Sequence, residues 1–235
     1  MTVYTAIFGT YDYLKPLKRN QKGEWKFICY TDQPDDSEIF DLVKVNPAPW
    51  EIRRVPVMEF GPAKTARWYK INFHKHIEDD FSIWIDGTFF INCDLSRWVR
   101  KRFVADFTVI KHPFDDCAYI DAHSCLKLGR GNWMDIVRQV NHYKNEGLPE
   151  HNGLISSGIL MRNNTKQVQK ICDDWWQQVE QFSERDQIGF AYAAWKNPGF
   201  FHVTEWNYTT QNEFQHCPHR HKAWSDKKAK QLAGM

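Results

Sequence analysis

The sequence lacks a surplus of either charge: 31 Lys and Arg stand against 29 Asp and Glu, a net charge of +2. Binding led by a phosphate backbone draws on a basic excess, so nucleic acid is not an expected partner. Long hydrophobic runs are missing too. Phe81 to Ile85 is typical of the apolar stretches and falls far short of the ~20 residues of a membrane span. The opening residues, MTVYTAIFGTYDYLK, have neither a basic start nor an apolar stretch of leader length, so no secretory signal is expected. The six cysteines are scattered without a CxxC pair, which suits reduced, buried thiols in a cytoplasmic protein better than a disulfide framework. Internal repeats, low-complexity tracts and linker-like stretches are absent as well. At 235 residues the chain is long enough for one domain with a substantial core.

Aromatic residues are abundant. The chain has 11 Trp, 9 Tyr and 16 Phe, although its mean hydropathy is only -0.63. So many rings in so polar a chain serve either stacking on sugars or bases, or a bulky core.

Val3 to Phe8 and Trp25 to Tyr30 are short β-branched and aromatic runs followed by turn residues, and predict buried strands; Asp41 to Val45 predicts a third. Pro62 to His76 changes to a helical period with Pro in the first turn, and Phe81 to Ile85 returns to strand. This order predicts an α/β fold with a mainly parallel sheet, in which ligands sit at the carboxyl ends of the strands. Asp12, Asp32 and Asp86 occupy such ends. Further on, Leu95 to Phe103 predicts a short basic helix and Phe107 to Lys111 a strand. Helices are predicted at Cys117 to Leu128, Trp133 to Glu146 with Gly147 as its cap, Thr165 to Phe182 and Arg185 to Trp195. The apolar run Leu154 to Met161 is interrupted by Ser156-Ser157-Gly158. Residues 1–224 form the expected domain and 225–235 a polar tail.

The basic helix AKTARWYK, followed by Trp84-Ile85-Asp86-Gly87-Thr88, combines a strand-end carboxylate with cations. Such a pair can hold a divalent cation and offset the charge of a diphosphate. Asp86 also reads as the first residue of an ordinary Asp-Gly turn. Ser157-Gly158 fits a bulged strand, and Ser183 followed by Asp186 and Gln187 fits a capped helix start. The cluster His216-Cys217-His219-His221 lacks the loop spacing of a structural zinc site. Of the adjacent Trp175 and Trp176, helical geometry predicts that one faces inward.

The blocks YTAIFGTYD, FICYTD, ARWYKI, IWIDG, KHPFDDCAYIDAHSCLKLG, NHYKNEGLP, GLISSGILMRNN and WWQQVEQFSERDQIGFAYAAWK follow one another over residues 3–197. In that order they resemble the glycosyltransferase-like domain of bacterial polysaccharide loci and plant mucilage and cell-wall proteins. That group is of the GT-A type and distantly related to family 8 glycosyltransferases. The resemblance implies a single GT-A-like α/β domain, with a mixed, mainly parallel sheet flanked by helices. It implies transfer of a sugar from a nucleotide-diphosphate sugar, a UDP-sugar, to a glycan or other hydroxyl acceptor. Retention of configuration, a cytoplasmic setting in surface polysaccharide synthesis and peripheral association with a membrane-linked acceptor go with it.

Residue by residue, the resemblance implies that Ala6, Phe8, Tyr11 and Asp12 line the base pocket and Asp32 the ribose side. Arg67 and Lys70 would face the diphosphate, Lys111 and His112 the phosphate or acceptor, and Ser157 and Gly158 would pass under the donor sugar. Asp186 and Gln187 would face the reaction centre as catalytic residues together with Asp86. Asp86 would hold Mn²⁺ or Mg²⁺ with help from a C-terminal histidine, His202 or His221, with His216 and His219 as further candidates. Thr88 stands where the second carboxylate of an Asp-x-Asp motif would be. A non-catalytic module binding nucleotide-sugar or carbohydrate is the alternative.

Overall fold

The first strand, β1 (Thr2–Ile7), is buried along its whole length, its Thr2 and Thr5 included, as a strand must be when helices or loops cover both sheet faces. It pairs in parallel with β2 (Lys26–Thr31) on one side and β4 (Phe81–Ile85) on the other. The computed structural model describes residues 1–43, 48–217, 219 and 220. Besides these strands the chain forms β3 (Trp50–Arg54), β5 (Phe89–Ile91), β6 (Phe107–Lys111), β7 (Ile155–Asn163), β8 (His202–Thr204) and β9 (Phe214–His216). The helices are α1 (Gly61–Ile71), α2 (Leu95–Arg102), α3 (Ala118–Lys127), α4 (Trp133–Glu146), α5 (Lys166–Gln181) and α6 (Asp186–Lys196). Seven strands form one sheet in the order β3-β2-β1-β4-β7-β6-β8, and β5 pairs with β9 in a small second sheet. Only β7 runs against its neighbours in the large sheet.

Alternate residues from Val3 to Phe8 divide the core. Tyr4 and Phe8 join Tyr69, Phe73, Trp84, Trp175 and Phe190 beneath α1, α5 and α6. Val3 and Ile7 join Phe27, Ile83, Trp98, Trp206 and Phe214 on the opposite face. Most of the aromatic surplus is spent in these two layers.

The sequence expectations need four corrections. The strand predicted from Asp41 to Val45 is a turn as far as Val43, after a single 3₁₀ turn at Glu38–Phe40; residues 44 and 45 lie outside the described set. The third strand is Trp50–Arg54, an edge strand whose polar WEIRR pattern buries only its first residue. An edge needs only partial burial, which explains the weak signal. Trp175 and Trp176 are both buried, because Trp175 packs on Phe190 of α6 while Trp176 lies against Phe60. Ser183 does not cap α6; Arg185 holds the N-cap position and Ser183 Oγ donates to Gln139.

The interrupted run around Ser157-Gly158 is one continuous strand with an irregularity. Val109 faces Leu160, whereas the next residue, Ile110, faces Ser156, so Ser157 to Ile159 bulge out of register with β6. Beneath the sheet, β7 also carries Arg162, which is fully buried. Its Nη2 donates to Lys70 O at 2.8 Å and to the Tyr4 hydroxyl, Nη1 donates to Ile71 O at 3.3 Å, and the guanidinium lies 4.2 Å from the Phe73 ring centre. A side chain from the sheet thus supplies donors to the last carbonyls of α1, which have no intrahelical partner. All six cysteines are free thiols, five buried and Cys93 half-buried.

Candidate active site

Arg67 and Lys70 lie one helical turn apart on α1, so both reach the carboxyl edge of the sheet. Lys70 is 1% exposed. Its ammonium donates to Asp86 Oδ1 at 3.1 Å and Ser157 Oγ at 3.0 Å, and pairs with Asp186 Oδ2 at 2.5 Å. Ser157 Oγ donates to the same Asp186 oxygen at 2.9 Å, and Arg67 Nε stands 3.5 Å from it. Trp84 Nε1 donates to Asp86 Oδ1 at 2.6 Å. An ammonium this deep is tolerated only when carboxylates match it. Five segments, β4, β7, α1, α6 and the turn after β4, therefore meet on one buried cation.

Burial pushes the Asp186 carboxyl up, but Arg67 and Lys70 outweigh burial and hold it well below the usual carboxylate range. The Arg67 guanidinium loses hydration on burial, yet Asp186 and Asp86 keep it firmly charged. Because the folded value for Asp186 is depressed, its pairing contributes stability at pH above the unfolded carboxylate range and loses it as pH falls through the folded value. Urea midpoints should therefore drop below about pH 4, and drop less steeply in Lys70→Met/Asp186→Leu, in which both charges are gone.

Two glycines permit the close approach. A Cβ on Gly158 would lie 2.6 Å from Phe89 Cε2 and 3.4 Å from Asp86 Oδ2, and one on Gly87 would lie 3.1 Å from Asp12 Cβ. Asp86 N also donates to Gly158 O at 2.8 Å, which joins the turn after β4 to the bulge of β7.

The residues assigned to the base pocket divide into two sets. Ala6 and Phe8 are buried in the core, Phe8 stacked 5.7 Å from Tyr69, and Asp32 Oδ1 accepts from Gly9 N at 2.8 Å, pinning the loop after β1. Tyr11 is 49% exposed and its ring lies 4.4 Å from that of His219, whose Nδ1 is 3.0 Å from Asp12 Oδ1. Tyr11 and His219 are thus partly open to solvent beside the buried Asp12, which touches the turn after β4 at Gly87, while Ala6 and Phe8 lie in the core. Gln187 Nε2 donates to Ile155 O at 2.8 Å, so this side chain anchors α6 to β7.

The histidines behave differently from expectation. His202 is exposed and opens β8 opposite Thr108, three strands from Asp86 in the sheet order and well back from the strand ends. His221 lies outside the described residues. Pairing of β9 with β5 brings His216 opposite Phe89, with the rings 5.3 Å apart, and burial pushes its imidazole down. Lys111 is exposed and bound to Glu205 at 3.3 Å, while His112 Nδ1 accepts from Asp115 N at 2.9 Å. Among the described residues no three His, Cys, Asp or Glu side chains converge in a metal-holding group, the His216-Cys217-His219 stretch included.

Residues 1–225 match the model of the TOD1/MUCI70 glycosyltransferase-like domain. The chain belongs to that family. A curated relative, the probable hexosyltransferase MUCI70 of Arabidopsis thaliana, is 25% identical to this TOD1/MUCI70 domain over 212 residues. The match takes in 81% of this chain but 36% of the relative, so the chain spans about a third of that protein's length. Among solved structures, galactosyltransferase LgtC in complex with donor and acceptor sugar analogs superposes with a TM-score of 0.53 at 11% identity, covering 100% of this chain and 95% of LgtC. Mouse xyloside xylosyltransferase 1 in its apo form gives 0.53 at 11% identity, covering 86% and 84%. The fold of the TOD1/MUCI70 domain is accordingly GT-A, a mixed and mainly parallel sheet with helices on both faces.

Proposed function

We propose that this domain is a glycosyltransferase that moves a hexosyl group from a UDP-sugar to a hydroxyl of a glycan acceptor. The observation that carries this reading is the buried Lys70, tied to Asp86, Ser157 and Asp186 at the carboxyl edge of the sheet. Breaking the anomeric bond places negative charge on the departing diphosphate, and cations held there in advance stabilise the transition state more than the ground state. Arg67 and Lys70 are those cations. Tyr11, the accessible ring at the end of β1, gives the base a stacking surface.

Asp186, kept ionised by two cations, has little affinity for a proton. It serves better as a clamp on sugar hydroxyls than as a general base. That favours retention, in which the acceptor attacks from the face of the leaving group and no carboxylate base is mandatory. A divalent cation finds a poor donor set among the described residues: Asp86 Oδ1 is taken by Lys70 and Trp84, which leaves Oδ2 of this partly exposed side chain, while Asp12 is taken by His219 and Thr88 is a buried hydroxyl. Hard cations prefer several oxygen ligands, so Lys70 carries the charge that a metal would otherwise bring. No described helix is long and apolar enough to cross a membrane; cytoplasmic synthesis of a surface polysaccharide, with peripheral contact to a membrane-linked acceptor, is the setting we propose.

Thr88 favours one second reading, a binding module without turnover. Calorimetry with UDP, GDP and CDP, in Mn²⁺ and in EDTA, together with donor turnover, tests both. UDP should bind with a change of less than about tenfold on chelation, and turnover should vanish in Asp186→Ala. Failure of every nucleotide to bind sinks the donor assignment; binding without turnover in the native chain favours the module.

A further inference from the structure

Beside the reaction centre lies a second polar cluster that the donor chemistry does not use. Asp121, on α3, is 7% exposed, and its Oδ2 has no hydrogen-bond partner among the described residues. Arg185, the residue before Asp186, has an equally unpartnered Nε. The two do not close into an ion pair: Arg185 leans on Cys125, one turn along α3, and on the Gly131 turn, where an added Cβ would lie 3.3 Å from its Cδ. Burial pushes the Asp121 carboxyl up, partly offset by Arg185 and His112, with Asp115 and Asp186 adding to the rise. Buried polar groups in folded proteins are almost always satisfied, and a charged group left without a partner is costly. Two such buried atoms, Asp121 Oδ2 and Arg185 Nε, the latter on the residue before Asp186, point to a ligand that satisfies both.

Two exposed rings stand close in the chain to residues that face this cluster, His112 and Gly131. Phe114 is 79% exposed with its ring 6.1 Å from His112, and Trp133, two residues beyond Gly131, is 65% exposed. Large exposed rings beside unpaired hydrogen-bonding groups are what a pyranose needs: hydroxyls at its edge, and apolar C–H faces that lie flat on a ring.

We propose that Asp121, Arg185 and His112, rimmed by Phe114 and Trp133, form the acceptor site, which takes a neutral hexose unit of a glycan. The proposal rests on the glycosyl-transfer reading for its role but not for its sugar. Hydroxyls of the acceptor hydrogen-bond to Asp121 and Arg185, and the sugar face covers Trp133, which sets the attacking hydroxyl next to Asp186.

The test uses the full chain with UDP present and follows the indole resonances while maltotetraose, cellotetraose and lactose are added. At least one of these should shift the Trp133 signal. Asp121→Asn should weaken that binding, and raise the acceptor KM in transfer assays, by about tenfold or more, the loss of one charged hydrogen bond. Trp133→Ala should raise the same KM without lowering the melting temperature, and the exposed Val104→Ser, elsewhere on the surface, should change neither. Asp121→Asn should melt no lower than the native chain, since Asp121 Oδ2 has no hydrogen bond to lose and the burial cost of the carboxylate outweighs the pull of Arg185 and His112. Variants that use acceptor as well as the native protein, or no response of Trp133 to any of the three sugars, would overturn the acceptor site. Sugar binding that is lost in Asp121→Asn, in a native chain that binds no nucleotide, would leave the site standing and remove the glycosyl-transfer reading.

Discussion

Lys70→Met is expected to lose turnover by about two to three orders of magnitude, the scale of removing one preorganised transition-state donor. It should also lose about 3–5 kcal/mol of stability, because deleting one partner of a buried pair leaves the other charge without compensation. Asp186 would retain Arg67 at 3.5 Å, Ser157 at 2.9 Å and the Gln187 N–H at 3.2 Å, which together do not replace the buried ammonium. The second variant, Lys70→Met/Asp186→Leu, separates the two losses. Replacing both members of a buried ion pair with apolar groups of similar size is often neutral or better, so its urea stability should recover most of the deficit. Its turnover should not recover. Return of activity in the double variant, or full activity in Lys70→Met, would remove Lys70 from the chemistry and leave it a structural counter-ion.

Arg162 carries the second large effect. Arg162→Met withdraws the donors from the Ile71 carbonyl and the Tyr4 hydroxyl and leaves the Lys70 carbonyl with the Tyr4 hydroxyl alone, at 3.1 Å, in a site with no exposure. Each buried acceptor left unsatisfied costs about 1–3 kcal/mol, so unfolding should become easier by about 3–5 kcal/mol in urea titrations. Against a total of about 5–15 kcal/mol for an ordinary domain, that is enough to leave little folded protein. Arg162→Lys should not rescue, because one ammonium cannot reproduce the planar fork that reaches two carbonyls and a hydroxyl at once. A lysine variant as stable as the native chain would show that the charge, and not the fork, is what the site requires.

The sheet and its ligand edge were legible in the sequence because β1, β2 and β4 are central strands, largely apolar and closed by turn residues. The edge strand β3 was not, since Trp50–Arg54 buries one residue and otherwise reads as polar chain. Arg67, Lys70, Asp86, Ser157 and Asp186 could be named from the sequence. Their convergence could not, because it depends on β7 entering antiparallel and bringing its beginning, rather than its end, to the site. Neither could Arg162 be assigned its place: one arginine in an apolar strand looks like a surface residue until the carbonyl ends of α1 are placed over it. The case of His202 is the reverse. Its position near the C-terminus suited a helper ligand, yet β8 sets it on the far side of the sheet from Asp86.

The position of β7 also has a consequence for biosynthesis. This strand is inserted between β4 and β6, both of which precede it in the chain. A nascent chain that has just completed β6 therefore holds two sheet edges that cannot pair with each other in the final arrangement, and Asp86 and Lys70 meet without Ser157, Gly158 or Asp186. Unpaired edges of this kind invite wrong partners, and pairing over long sequence separations is slow. The span from Phe107 to Ile155 is where folding during synthesis must wait, and slow translation or chaperone binding over that stretch would act on the yield of folded protein without touching the cluster around Lys70.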